Sequence, residues 1–93
     1  MKPYDWNNAK NEVLKSVRSV SFEAVVAAID ADGLLAVLEH PNKTRYRHQK
    51  MYVVHIHDYA FLVPYVEDEE KIFLKTIIPS RKATRQYLTG EKS

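Results

Sequence analysis

Three apolar stretches follow one another in the second half of the chain with almost nothing between them: residues 50–57, 60–66 and 71–78. Only Asp58 and Tyr59 separate the first two, and the acidic run Glu67, Asp68, Glu69, Glu70 separates the second and third. Parallel strands need a crossover of about a dozen residues or more, so connections this short demand antiparallel pairing. Alternation within the first stretch directs Tyr52, Val54 and Ile56 to one face and Met51, Val53, His55 and His57 to the other. In the last, Ile72, Leu74, Thr76 and Ile78 share one face and Phe73, Lys75 and Ile77 the other. Pro64 removes one ladder donor from the middle stretch, which favours an edge or a bulge.

The first half supplies helices and one more strand. The asparagines at 7 and 8 can cap a helix over about 7–17, with Ala9, Val13, Leu14 and Val17 inward and Lys10, Glu12 and Lys15 outward. Ser21 starts a second helix in which Phe22, Val25, Val26 and Ile29 follow the helical spacing, and Gly33 is the natural left-handed residue at its end. Residues 34–39 read as a strand, broken by His40, Pro41 and Asn42. The segment NKTRYRHQK that follows reads as a basic loop, and a final short helix covers about 80–88 before a frayed tail. With 93 residues the chain makes one domain. The expected fold is α+β: two N-terminal helices packed on a four-stranded antiparallel sheet, with a short C-terminal helix. Helices on one face would leave the other partly open, carrying His55, His57 and Lys75.

Composition removes several chemistries. No cysteine is present, which excludes disulfides, Cys-ligated zinc and thiol catalysis. The two glycines, Gly33 and Gly90, cannot build a glycine-rich phosphate cradle. No stretch approaches about 18 apolar residues and no apolar leader stands at the N-terminus, so a soluble cytoplasmic protein is expected. The net charge of +2 is small but unevenly spread. Lys43, Arg45, Arg47 and Lys50 cluster beside Tyr46, a pattern compatible with nucleic-acid binding and also with an acidic protein partner, and the acidic run reads as a solvated turn. Tyr52 is equally suited to stacking on a base and to core packing.

The concentrated candidate is the end of the last strand. Ser80 can cap a helix whose first turn carries Arg81 and Lys82, cations that oppose the helix dipole. A bound phosphate would relieve that conflict; a solvated surface helix is the plain alternative. Arg81 and Arg85, four apart, share one helix face. His55 and His57 suit proton transfer. They also have a spacing that could bind metal, but no third ligand of comparable quality stands near them in sequence, and no metal or other cofactor is expected. Lys75, inside an apolar strand, either snorkels at an edge or faces a polar cleft.

Three segments carry a resemblance to a known family. YDWNNAKNEVLKS at residues 4–16, SFEA at 21–24 and FLKTIIPSRKATRQYL at 73–88 resemble the BrnT family of bacterial type II toxins, itself similar in fold to the RelE-like ribonucleases. The match spans nearly the whole chain, and Ser-Arg-Lys-Ala-Thr-Arg after a strand is its most specific part. Family members often carry a His-Gly pair after the lysine of the first helix, where this chain has Ser16 and Val17. Residues 40–50 also depart from the family. The resemblance implies a metal-independent endoribonuclease that inhibits translation by cleaving RNA, free or on the ribosome, and that is neutralised by a ribbon-helix-helix antitoxin. It carries Arg81, Lys82 and Arg85 over as the basic C-terminal motif. A non-catalytic interaction module and a DNA-binding regulator acting through residues 43–50 stand as alternatives.

Overall fold

A computed structural model describes residues 2–39, 45 and 49–89. The elements in chain order are β1 (Tyr4–Asp5), α1 (Asn8–Arg18), α2 (Phe22–Asp30), β2 (Leu34–Glu39), β3 (Gln49–Ile56), β4 (Tyr59–Glu67), β5 (Ile72–Leu74), β6 (Ile78–Pro79) and α3 (Arg81–Tyr87). The fold is α+β. Its sheet has six strands rather than four, ordered β1-β5-β4-β3-β2 with β6 also on β4. The sheet is mixed, because β1 runs parallel to β5.

The expected strand over 71–78 is split in two, and Pro64 explains the split. Tyr65, Val66 and Glu67 pair with Leu74, Phe73 and Ile72, whereas Phe61 and Leu62 pair with Pro79 and Ile78. Lys75, Thr76 and Ile77 therefore stand opposite only Val63 and Pro64, a one-residue bulge. The Pro64 carbonyl accepts from the Lys75 N–H at 2.8 Å. A residue of an antiparallel strand turns its N–H and C=O toward the same neighbour, so the donor that proline lacks is missing on this side. The extra residue reverses the alternation beyond it. Ile72, Leu74 and Ile77 are buried, while Ile78, expected inside, is exposed.

The hairpin between β3 and β4 also differs from expectation by one residue. Ile56 pairs with Tyr59, and His57 and Asp58 form the two-residue turn with φ of 53° and 62°. Positive φ at both central positions is the type I′ geometry that matches strand twist. His57 therefore belongs to the turn and not to the strand.

On the α1/α2 side, Phe22 and Val25 of α2 meet Val54, Val63, Leu74 and Ile77 of the sheet, and Trp6 stacks on Phe22 at 5.6 Å. α1 is rotated from its expected setting. Its buried residues are Asn11 and Leu14, whereas Val13 and Val17 are 53% and 71% exposed. Asn11 causes the rotation: its side-chain oxygen accepts from the Phe22 N–H and its amide donates to Glu23, both at 2.8 Å. At the end of α2 the left-handed residue is Asp32, with φ of 65°. Gly33 is needed for another reason, since a Cβ there would lie 2.7 Å from the Ala28 carbonyl oxygen.

The opposite face is covered at one end. Ala83, Tyr87 and Leu88 at the C-terminal helix pack with Val53, Ala60, Leu62 and Leu35. Helices thus lie on both faces of the sheet, contrary to the one-sided arrangement expected. No helix of the described residues is long and apolar enough to cross a membrane.

Candidate functional site

Four hydrogen bonds anchor the first turn of α3, two of them to the sheet. Ser80 Oγ accepts from the Ala83 N–H at 3.0 Å, and the Ser80 N–H donates to the Ala60 carbonyl at 3.0 Å. Thr84 Oγ1 accepts from the Ala60 N–H at 2.8 Å and donates to the Ser80 carbonyl at 2.8 Å. The first turn of α3 is thereby stitched to the start of β4. Ala60, fully buried, is small enough to let the helix approach.

Beside this stitch lies a shallow cleft of about 190 Å³ lined by His55, Asp58, Thr84, Leu88 and Thr89. His55 enters it from β3 with 39% of its side chain exposed, and its Nε2 stands 3.7 Å from Asp58 Oδ1. That distance is an ion pair only when the imidazole is protonated, and Asp58 is fully solvated, so the coupling is weak. At about 100° per residue, Arg81 and Arg85 fall on the flank of α3 next to Leu88, toward the cleft, while Lys82 and Gln86 fall on the far flank. All four are exposed. The site thus offers one titratable ring on a rigid strand, a carboxylate on the adjoining turn and, on the neighbouring flank of α3, the exposed Arg81 and Arg85, which do not themselves line the cleft. It can hold an anion by charge-assisted hydrogen bonds and move a proton beside it.

α3 has seven residues. With Ala83 N–H already bonded to Ser80, anion attraction must come from the guanidinium groups and not from the helix N-terminus expected to cradle a phosphate.

Several expected participants are elsewhere. His57, placed on the turn by its positive φ, lines a different cleft with Lys15, Ser19, Val20, Ser21 and Ala24 at the α1–α2 corner. The two histidines therefore do not share a face. Lys75 is exposed at the bulge and does not line the His55 cleft. Lys50 stands at the other end of β3 from His55, about 17 Å away along the strand, and the odd spacing puts it on the opposite face. Arg45 is exposed. Tyr46 and Arg47 lie outside the described residues. Tyr52 is buried and stacked on Tyr65 with ring centroids 4.0 Å apart, and burial pushes its phenol well above the ordinary range.

Thr84 and Asp58 were not anticipated as site residues. Thr84 had a signal, since it stands four residues after the capping Ser80 and can bond back to it. The acidic run is closed on itself: Asp68 Oδ1 accepts the N–H groups of Glu70 and Lys71 at 2.8 and 2.9 Å, and Glu67 pairs with Lys2 at 2.7 Å. Those two N–H bonds hold the Asp68 carboxyl below its usual value. Among the described residues no group of three or more His, Asp or Glu converges as a metal site. Comparison of the chain with protein-family models, with curated proteins and with solved structures found no match in any of the three.

Proposed function

We propose that this chain is the toxin of a bacterial type II toxin–antitoxin pair, an endoribonuclease of the BrnT and RelE-like kind. The observation that carries the reading is the row of Arg81 and Arg85 on a helix locked to the sheet, beside the only titratable strand side chain in the cleft, His55. Rigid placement of cations and a proton carrier is what cleavage by a neighbouring 2′-hydroxyl requires.

In that reaction the ribose 2′-oxygen attacks the adjacent phosphorus, the 5′-oxygen leaves, and one proton is removed from the nucleophile while one is given to the leaving group. Arg81 and Arg85 hold the phosphate and offset the charge that builds on its oxygens, usually the largest contribution. His55 is the proton carrier of the adjoining cleft, with the Asp58 carboxylate 3.7 Å from its Nε2. Lys82 extends the basic surface toward the flanking backbone. His57 and Lys75, which do not line this cleft, have no part in the step. A ribbon-helix-helix antitoxin is the partner that this reading implies, and cytoplasmic RNA is the substrate.

Expression of Arg81→Ala/Arg85→Ala and of His55→Ala tests the assignment. Both should lose growth inhibition and RNA cleavage while keeping the helical and sheet signals of the parent. Full toxicity in the double arginine variant would overturn it. Cleavage should persist in EDTA.

The non-catalytic interaction module remains the second reading, favoured by the separation of His57 and Lys75 from His55. It expects neither cleavage nor toxicity from the parent chain.

A further inference from the structure

The exposed valines of α1 are not scattered. Val13 and Val17, one turn apart, form with Leu14, Thr76 and Ile78 the wall of a groove of about 270 Å³ between α1 and β6, closed at its ends by Lys10 and Arg18. Val13, Val17 and Ile78 are three of the four large apolar side chains that the described residues expose. β-Branched residues at solvent positions weaken a helix by several tenths of a kcal/mol each relative to leucine or alanine, so nothing in α1 itself favours them. The lining contains two cations and no acid.

The groove's strand side is poorly suited to strand addition. Ser80 N–H bonds Ala60, so Ile78 also faces β4, and Ile77 and Pro79 turn their backbone groups outward. Pro79 has no N–H to offer, and the Ile77 carbonyl is occupied by Arg18 Nη1 at 2.6 Å. A segment adding here as a strand would lack two of the four outward backbone partners, the Pro79 N–H and the Ile77 carbonyl. A helix satisfies its own backbone, and the apolar floor and charged ends suit one.

We infer that the α1–β6 groove is a docking site for an acidic amphipathic helix of a partner protein. Two apolar side chains of the incoming helix, three or four residues apart, would cover Val13, Val17 and Ile78. Carboxylates on either side would meet Lys10 and Arg18, which stand eight residues apart on α1 and hence about 12 Å along its axis. The partner therefore carries acids about seven or eight positions apart flanking its apolar pair, a helix-in-groove pattern. No residue lining this groove lines the His55 cleft. The inference stands whether or not the chain cleaves RNA.

The test uses a fluorescein-labelled synthetic helix of about 16 residues, with two leucines four apart between glutamates eight apart, titrated against the full chain at low ionic strength. Anisotropy should rise saturably. Replacing the glutamates by lysine, or the leucines by serine, should weaken binding by at least about tenfold. Val17→Asp and Lys10→Glu in the protein should do the same, and amide shifts in the parent should map to residues 10–18 and 76–78. Both substitutions lie on the surface, and an unchanged melting temperature verifies the fold. Binding that survives Val17→Asp, shifts confined to other surfaces, or no saturation would each overturn the inference. Self-association of the parent that Val17→Asp abolishes would overturn it too, by showing that a second copy fills the groove.

Discussion

The Ala60 N–H donates to Thr84 Oγ1 at 2.8 Å, so a strand amide that no β-ladder serves at this point is satisfied by the helix that lies over it. Thr84→Val keeps the shape and removes the acceptor, leaving a buried N–H unpaired. The expected cost is about 1–3 kcal/mol. Thr84→Ser, which retains the hydroxyl, should recover most of it. Urea unfolding of the two variants gives the comparison, and equal stabilities would show that the stitch contributes nothing.

Asn11 is the one buried polar side chain among the described residues, 2% exposed, and it spans from α1 to the start of α2. Its amide bond to Glu23 holds that carboxyl below its usual value. Asn11→Leu leaves the Phe22 N–H without its acceptor, and a loss of about 1–3 kcal/mol follows. The sign of the Glu23 contribution is fixed by the lowered value: it is present above the unfolded carboxyl range and is lost as pH falls through it. Stability of the parent should therefore decline more steeply below about pH 4 than that of Asn11→Leu, as read by unfolding midpoints across pH 3–6.

Gly33 couples the α2–β2 connection to the site strand. Its N–H donates to Ala28 and its carbonyl accepts from the His55 N–H at 2.8 Å. A methyl group would meet the Ala28 carbonyl oxygen at 2.7 Å and the His55 carbonyl oxygen at 3.1 Å, backbone atoms that cannot turn aside. Gly33→Ala should cost about 1–3 kcal/mol and lower the melting temperature by about 4–8 °C per kcal/mol in a domain of this size. An unchanged melting temperature would show that the connection yields.

The elements that the sequence made legible are those whose own residues decide them. The alternation of Tyr52, Val54 and Ile56, the helical spacing of Phe22, Val25 and Ile29, and the cap at Ser80 all appear as read. What escaped depends on residues far apart in the chain. The bulge at residues 75–77 is caused by a proline on the neighbouring strand, and it re-aims every later side chain of that segment. α1 is turned by Asn11 bonding two residues of α2, which a hydrophobic pattern cannot register, and that pattern alone points Val13 and Val17 inward. A strand as short as Tyr4–Asp5 has no periodicity to detect.

The same limit governed the site. Arg81 and Arg85 were legible as a row because helix geometry alone aligns them. The partnership of His55 with His57 failed on one residue of turn register, and that of His55 with Thr84 and Asp58 needed the docking of α3. The open face expected from two N-terminal helices is the face on which α3 lies.

Tyr52 and Tyr65 allow a prediction at the alkaline end. Their rings stack at 4.0 Å with an interplanar angle of 12°, and burial raises both phenols, Tyr52 the more strongly. A folded value above the unfolded one, about 10, means that the native state holds its proton while the unfolded chain releases it. The stabilisation is therefore complete below about pH 10 and is lost as pH rises above it. Lys15 and Lys71, each raised by a carboxylate partner, slope the same way, so the parent curve alone cannot isolate the phenols. Tyr52→Phe can. Near neutral pH it should cost only about 0.5–1.5 kcal/mol, the worth of a hydrogen bond, and its stability should fall less than the parent's from pH 9 to 11. Tyrosinate absorbance gives the independent reading: the parent should show a late-titrating fraction that shrinks in Tyr52→Phe. Parallel stability curves together with one common phenol titration would show that the stacked pair ionises as freely as a surface tyrosine.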